Sequence, residues 1–385
     1  MGNVQSGAAC YTAYRSSLRR LWRRSRCLTV ARRCDYSVLG WIVRLWLGVV
    51  ITLVVLVGMA VFVGIAYMIR MPGQSYSGVF LPLTPAEEQL RQQLIRHVWT
   101  LAGEIGERHL WRYEALQAAA RYIDTTLAGW RYSVATQPFE VWGKTVHNLA
   151  AELPGTSRPD EIIVVGAHYD SVPGCPGAND NATGVAAMLE LARLLAGQSL
   201  ARTVRLVAFV NEEAPFFHTA NMGSRQYAQR ARARGEHIVA MLSVETIGYY
   251  SDTPGSQRYP FPFGLFYPRQ GNFIGFVGNT ASRALVHRSI AAFRRHTAFP
   301  SEGTAAPGWL TGVGWSDHAA FWQQGYAAIM ITDTALFRYA PYHTPGDTPD
   351  KIDYAKMARI VAGLAHVVAD LASVDTAQRP GQRQH

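Results

Sequence analysis

The chain has 385 residues, 49% of them hydrophobic and 17% charged, with 34 Gly, 19 Pro and 4 Cys. That length suffices for one large domain or two small ones, and the composition excludes a disordered chain, a collagen-like repeat and a disulfide-dense scaffold. A formal net charge of +10 points toward nucleic acid or an anionic surface only if the charge is spread over the fold, and it is not.

Residues 1–44 hold nine Arg against one acid, Asp35, a net of +8; Arg70 brings this to +9 and leaves +1 for residues 71–385. Between Arg44 and Arg70 lie 25 residues without a charge, LWLGVVITLVVLVGMAVFVGIAYMI (45–69). As a helix they span about 37 Å, more than the roughly 30 Å hydrocarbon core of a bilayer. The run has no polar face, as a core helix would, and it exceeds the apolar stretch of a signal peptide. It reads as a single transmembrane helix, with Trp41, Trp46 and Tyr67 near its ends. The arginines place the N-terminus in the cytoplasm and the C-terminal part outside, which makes them a topology signal and not a nucleic-acid surface. Thirty-four Arg against three Lys fits a GC-rich bacterial genome, so the expected setting is the inner membrane with a periplasmic domain. Cys10, Cys27 and Cys34 fall in the tail, and Cys175 is alone beyond the membrane segment, so no intrachain disulfide is expected there. The expected layout is an Arg-rich tail (1–44), a transmembrane helix (45–69), a linker (70–83), one large domain (84–376) and a disordered tail (377–385).

Thr84-Pro85-Ala86-Glu87-Glu88 has the marks of a helix start: an N-cap Thr, Pro at the first position and acids in the first turn. That helix is expected to run to about 102, and a second to cover 112–128. Alternating β-rich runs follow at 132–142 and 144–153. Glu161–Ala167 (EIIVVGA) is a continuous apolar run, fit for a strand buried on both faces. Then come a helix (182–196), a strand (203–210), a helix (219–234), a strand (238–244), loops (249–275), a helix (279–296), a strand (327–332) and a helix (353–374). Strand–helix alternation predicts an α/β fold, a mainly parallel mixed sheet sandwiched between helices.

Polar residues able to bind metal sit just past the strand ends, where open α/β sheets place their sites. His168 and Asp170 follow the first apolar strand, Glu212 and Glu213 the next, Glu245 ends the third, Asp180 precedes a helix, and His343 lies beyond the 327–332 strand. A single His after a strand or an Asp before a helix is ordinary. Two imidazoles and three carboxylates converging on one sheet edge suit a borderline divalent ion such as zinc and suffice for two ions sharing one carboxylate. Glu212, beside a ligand but not needed as one, is free to act as a base.

Five blocks carry a resemblance: GAHYDSVPGCPGANDNATG (166–184), FVNEEAPFF (209–217), SVETIGYYSD (243–252), GWSDHAAFW (314–322) and YHTPGDTPDKID (342–353). In order and spacing they resemble the co-catalytic zinc exopeptidases, a superfamily that includes bacterial leucine aminopeptidases, glutamate carboxypeptidase-like enzymes and glutaminyl cyclases. The resemblance implies that His168 and Glu245 bind one Zn2+ and Glu213 and His343 a second, with Asp180 bridging both. It implies that Asp170 orients His168 and that Glu212 is the general base. Many aminopeptidases of this type have Asp where this chain has Glu245. Tyr249 and residues 309–318 are expected to line a pocket for a peptide substrate, with Asp317 and His318 as structural support. The expected activity is that of a membrane-anchored aminopeptidase. A glutaminyl cyclase or carboxypeptidase is the alternative within the superfamily, and an inactive receptor-like scaffold the alternative outside it. The Pro-rich block after His343 is closer to the peptidases than to the cyclases, and every metal-binding position holds a competent residue, unlike a scaffold that has lost catalysis.

Overall fold

The computed structural model describes the backbone of residues 8–373 and the side chains of residues 38–373. The expected disordered tail from 377 and the side chains of the tail arginines before Val38 lie outside the described residues. The chain divides into two compact units, Met1–Ala66 and Tyr67–His385. In the first, the described residues form one helix, part of α1 (Ala8–Ile69). Its stretch Val38–Ile69 is long and apolar enough to cross a membrane.

The second unit is built around one eight-stranded sheet. In chain order the elements are α2 (Pro85–Val98), α3 (Tyr113–Gly129), β1 (Val134–Val141), β2 (Lys144–Leu153), β3 (Arg158–His168), α4 (Thr183–Leu195), β4 (Arg202–Phe209), α5 (Gly223–Ala233), β5 (His237–Glu245), β6 (Ile274–Gly278), α6 (Arg283–His296), β7 (Ser301–Ala305), α7 (His318–Trp322), β8 (Ala328–Thr332), α8 (Ala335–Arg338) and α9 (Tyr354–Ala372). The strand order is β1-β2-β4-β3-β5-β8-β6-β7. The centre, β4-β3-β5-β8, is parallel throughout, while β1 and β2 join it antiparallel and β6 runs antiparallel to β8. This is the expected mixed sheet with a parallel core.

The α2 start is as read: the Thr84 hydroxyl accepts from the Glu87 N–H, and the Glu87 carboxylate accepts from the Thr84 N–H, a capping box. The helix ends at Val98 and passes into a π-type turn, Trp99–Ile105.

Side-chain alternation along the central strands explains the layers. Ile163, Val165 and Ala167 of β3 pack with Leu206 and Ala208 of β4 under α2, α3, α4, α6 and α9. Ile162 and Val164 point to the other face, against Tyr227, Ala228 and Ala231 of α5 and Phe321 of α7. Both faces being covered, the strands read as unbroken apolar runs. Two strands differ from expectation. Residues 274–278 and 301–305 form β6 and β7, neither of which the apolar pattern marks. Both are short and both contain Gly; β7 is the edge strand, and β6 lies between it and β8. The consequence is that the parallel centre delivers the ends of β3, β4 and β5 to one edge.

Candidate metal centre and active site

His168 is the last residue of β3 and Glu245 the last of β5; Glu212 and Glu213 lie in the turn after β4; Asp180 lies in the loop entering α4; His343 follows α8. The structure brings all of them, with Asp170, to one place. His168 Nε2 lies 3.2 Å from Asp180 Oδ1, 3.3 Å from Glu245 Oε2 and 3.9 Å from Glu212 Oε2. His343 Nε2 lies 2.9 Å from Asp180 Oδ2 and 3.4 Å from Glu213 Oε2. Asp180 thus faces one histidine with each oxygen. Ligand atoms fall within 4.8 Å of one another in the groups His168–Asp180–Glu245 and Asp180–Glu213–His343, and also in His168–Glu212–Glu213.

Asp170 stands beside His168, and its carboxylate has a second task as well. Its Oδ1 is 3.6 Å from His168 Nδ1, beyond hydrogen-bond length, and the ring nitrogen lies nearer the Asp170 carbonyl at 3.3 Å. The carboxylate also accepts the backbone N–H groups of Glu212 and Glu213, each at 3.1 Å. It fixes the turn that carries both glutamates.

Other anchors escaped the sequence reading. The Asp347 carboxylate accepts the N–H groups of Asn179 and Asp180 at 2.8 and 3.0 Å and the Tyr339 hydroxyl at 3.0 Å. Asn181 donates to Val244 O at 2.9 Å and to Glu245 Oε2 at 3.3 Å, and its Oδ1 accepts from Gly184 and Thr246. Ser316 donates to Glu245 Oε2 at 2.8 Å and meets Ser243 Oγ at 2.9 Å. A Cβ on Gly184 would lie 2.3 Å from Asn181 Oδ1 and 2.4 Å from Val244 O, so glycine is required for α4 to approach β5 this closely. Asp347 stands in the quoted 342–353 block, and Asn179 and Asn181 flank Asp180, but nothing in a sequence shows which backbone groups they hold. Three non-glycine residues at the site, Asn211, Thr246 and His343, have φ between 47° and 58°, a left-handed conformation held by these surroundings.

The electrostatics show too much negative charge for bare carboxylates. Burial raises the Glu212 pKa well above the usual range, and Glu213 and Glu245 add to it against the pull of His168. Burial and then Asp180 push Glu213 up to about 7, and burial raises Glu245. Asp180 is also buried, but His168 and His343 outweigh that and hold it low. Burial opposes protonation of both histidines; Glu245 and Glu212 nonetheless raise His168, and Asp180 and Glu213 raise His343 to about 10. Asp180 Oδ1 and Glu213 Oε1 are buried without a hydrogen-bond partner. Four buried carboxylates against two imidazoles, with oxygens left unsatisfied, form a cradle for a cation. Carboxylate and imidazole donors suit zinc, and the 3.2–3.4 Å separations match the edge of a tetrahedron with zinc–ligand distances of about 2.0–2.1 Å.

Beside Glu245 opens a cavity of about 130 Å³, walled by Thr246, Tyr259, Phe263, Val313, Trp315 and Tyr342. Tyr342 stacks on His343 with ring centroids 3.9 Å apart. The 309–318 segment therefore lines a pocket in part, through Thr311–Val313 and Trp315. Tyr249 is not in its wall; its ring packs on Tyr339 at 4.7 Å. Asp317 and His318 are fully buried, His318 Nε2 2.8 Å from the carbonyl of the wall residue Val313.

Comparison with known proteins places this geometry in a family. A protein from Escherichia coli K12, "Uncharacterized protein YfbL", is 38% identical over 293 residues, 74% of this chain and 89% of that one. A "Probable leucine aminopeptidase" from Arthroderma otae is 29% identical over 238 residues, 58% of this chain and 57% of that one. Among solved structures, a zinc aminopeptidase from Bacillus subtilis superposes with a TM-score of 0.59 at 15% identity, covering 75% of this chain and 96% of that one. A glutaminyl cyclase from Bacteroides thetaiotaomicron superposes with a TM-score of 0.57 at 16% identity, covering 72% and 97%. At such identities the superpositions speak for the fold alone. Residues 148–368 match peptidase family M28. With its metal cradle at the edge of that fold, the chain belongs to peptidase family M28 and is a peptidase.

Proposed function

We propose that the protein is a membrane-anchored zinc aminopeptidase that removes N-terminal residues from peptides outside the cytoplasm. The layout proposed is tail 1–44, anchor 45–69, linker 70–83, catalytic domain 84–376 and tail 377–385, with the N-terminus at the cytoplasmic face of the inner membrane. The observation that carries the reading is the doubled cradle: His168 and Glu245 on one side, Glu213 and His343 on the other, and Asp180 facing both.

In this reading His168 and Glu245 hold one zinc, Glu213 and His343 hold another, and Asp180 is shared. Bound zinc supplies Lewis acidity and brings the ionisation of water close to neutral pH. Glu212 accepts the proton of the attacking water and returns it to the leaving amine. Its burial beside two further glutamates favours holding that proton in mid-cycle. Asp170 keeps Glu212 at its post through the backbone N–H at 3.1 Å. Asp347 does the same for Asp180. His343 is the most open of these groups, its side chain 36% exposed, so substrate approaches from its side. The apolar cavity beside Glu245 takes the substrate's first side chain.

Purified full-length protein tests this directly. Release of leucine from a leucyl chromogenic substrate, abolished by a chelator and restored by zinc, is the expected result. Ammonia release from a glutaminyl peptide with no leucyl hydrolysis replaces the peptidase activity with cyclisation. The match to a peptidase family and the Pro-rich run Thr344–Pro349 favour hydrolysis.

A further inference from the structure

We propose that the two loops around the mouth of the cavity, Tyr259–Tyr267 and Pro307–Trp315, rest in the headgroup region of the bilayer, so that the pocket beside Glu245 opens at the membrane surface. The inference rests on the reading of residues 45–69 as a membrane anchor.

Three observations carry it. The first is exposure. Phe261 is 88% exposed, Trp309 81% and Leu265 73%, with Phe266 and Trp315 about half that. Isolated exposed apolar side chains are ordinary, but these all sit on two loops that share one pocket wall. Large aromatic and aliphatic groups of this kind settle at the water–lipid boundary.

The second is continuity. Tyr67, Met68 and Ile69 end the apolar helix and belong to the second unit. Met68 and Ile69 pack against the cluster of Phe263, Ala306 and Val313, which are the inward-facing residues of the same loops or their neighbours. Tyr67 is held by Arg283, whose guanidinium lies 4.1 Å from the ring centroid and donates to Tyr67 O at 3.0 Å. An apolar helix ending at Ile69, followed by Arg70, leaves the hydrocarbon there. Loops packed on its last residues are therefore within reach of the headgroups.

The third is charge. From Thr253 to Ser301 the chain has no Asp or Glu and six Arg, at 258, 269, 283, 288, 294 and 295. The second unit as a whole is +2 and the rest of it −4, so this segment concentrates its positive charge. Arg258 and Arg269 flank the first loop and Arg283 holds Tyr67, so basic groups stand beside the aromatic ones, the chemistry of binding to anionic lipid headgroups.

The test uses the full chain with Cys10, Cys27 and Cys34 replaced by Ser, reconstituted in vesicles of phosphatidylethanolamine and phosphatidylglycerol. An environment-sensitive fluorophore is attached in turn to Phe261→Cys, Leu265→Cys, Trp309→Cys, Val54→Cys in the helix, and Trp142→Cys, an exposed residue of the β1–β2 turn. Nitroxide-bearing lipids are expected to quench Val54→Cys, and to quench the three loop positions by at least about twofold more than Trp142→Cys. Quenching at Val54→Cys with none at the loops overturns the docking and leaves the anchor standing. No quenching at Val54→Cys overturns the anchor and the docking with it. Loop positions shielded from aqueous iodide but untouched by lipid quenchers, with shielding lost on dilution, assign the surface to a second copy and overturn the proposal. None of these readouts depends on peptidase activity.

Discussion

On one side of Glu245, four carboxylates and two imidazoles crowd within a few ångström of one another; on the other, a cavity of about 130 Å³ is walled mostly by aromatic and aliphatic groups. The two sides treat a histidine in opposite ways. Carboxylates raise His343 to about 10 against the cost of burial, whereas His318, behind the apolar wall, is pushed down to about 4, with burial the leading cause and His218 a lesser one. The first side stores charge that only a cation can balance. On the second, burial keeps His318 neutral near pH 7. A peptidase needs both: a polarised centre for the bond and an uncharged socket for the side chain that selects the substrate.

The charged side is the easier to break. Asp180→Ala removes the one carboxylate that faces both histidines, so bound zinc should fall below one ion per chain and turnover to background. Elemental analysis and a leucyl assay of the same sample check this. Glu212→Gln should keep its zinc and lower kcat by about 10³-fold, within the range of a lost acid–base group. Near-normal turnover in that variant would mean that another group moves the proton. Asp347→Asn puts an amide against the N–H groups of Asn179 and Asp180 that now find a carboxylate. Zinc affinity should weaken about 10–100-fold, as for other residues that orient a ligand without touching the metal. Competition with a metallochromic chelator measures it.

The same contrast decides what the sequence reveals. The strands β3, β4 and β5 are legible because burial on both faces demands an unbroken apolar run, as in Glu161–Ala167. The proposed ligands are legible because the chemistry needs particular residue types just past those strands. β6 and β7 are not, because Ile274–Gly278 and Ser301–Ala305 are short, contain Gly and lie at the outer end of the sheet. The pocket wall is not either, since its residues come from an irregular stretch whose shape depends on packing against the rest of the molecule. Asp170 shows a subtler limit. Its presence near His168 is readable, but its two hydrogen bonds to the Glu212–Glu213 backbone are not, because they depend on where β4 ends in space.

The apolar side is tested by filling it. Val313→Trp places an indole in the cavity whose wall Val313 forms in part. kcat/KM for a substrate with a bulky first residue should fall about 10-fold or more while an alanyl substrate is spared, since loss of pocket contacts is worth about 1–3 kcal/mol. Equal losses on both substrates would place the first side chain elsewhere.

The smallest effect concerns stability. His318 is fully buried, with its Nε2 2.8 Å from Val313 O and its Nδ1 without a partner. Its folded pKa of about 4 lies below the value of about 6.5 expected when unfolded. The unfolded state therefore binds the proton first as pH falls. The stability that follows from keeping this ring neutral is complete above about pH 6.5, is lost as pH drops toward about 4, and changes no further below that. Between pH 7 and pH 5 this one group should cost about 2 kcal/mol. His318→Gln keeps a donor for Val313 O but cannot gain the proton. Denaturant melts at the two pH values should show a smaller pH dependence in the variant by that amount, and equal dependence in both proteins would mean that the imidazole reaches water. The outcome bears on the substrate pocket, because a wall that admits water to His318 cannot present a dry socket at Val313.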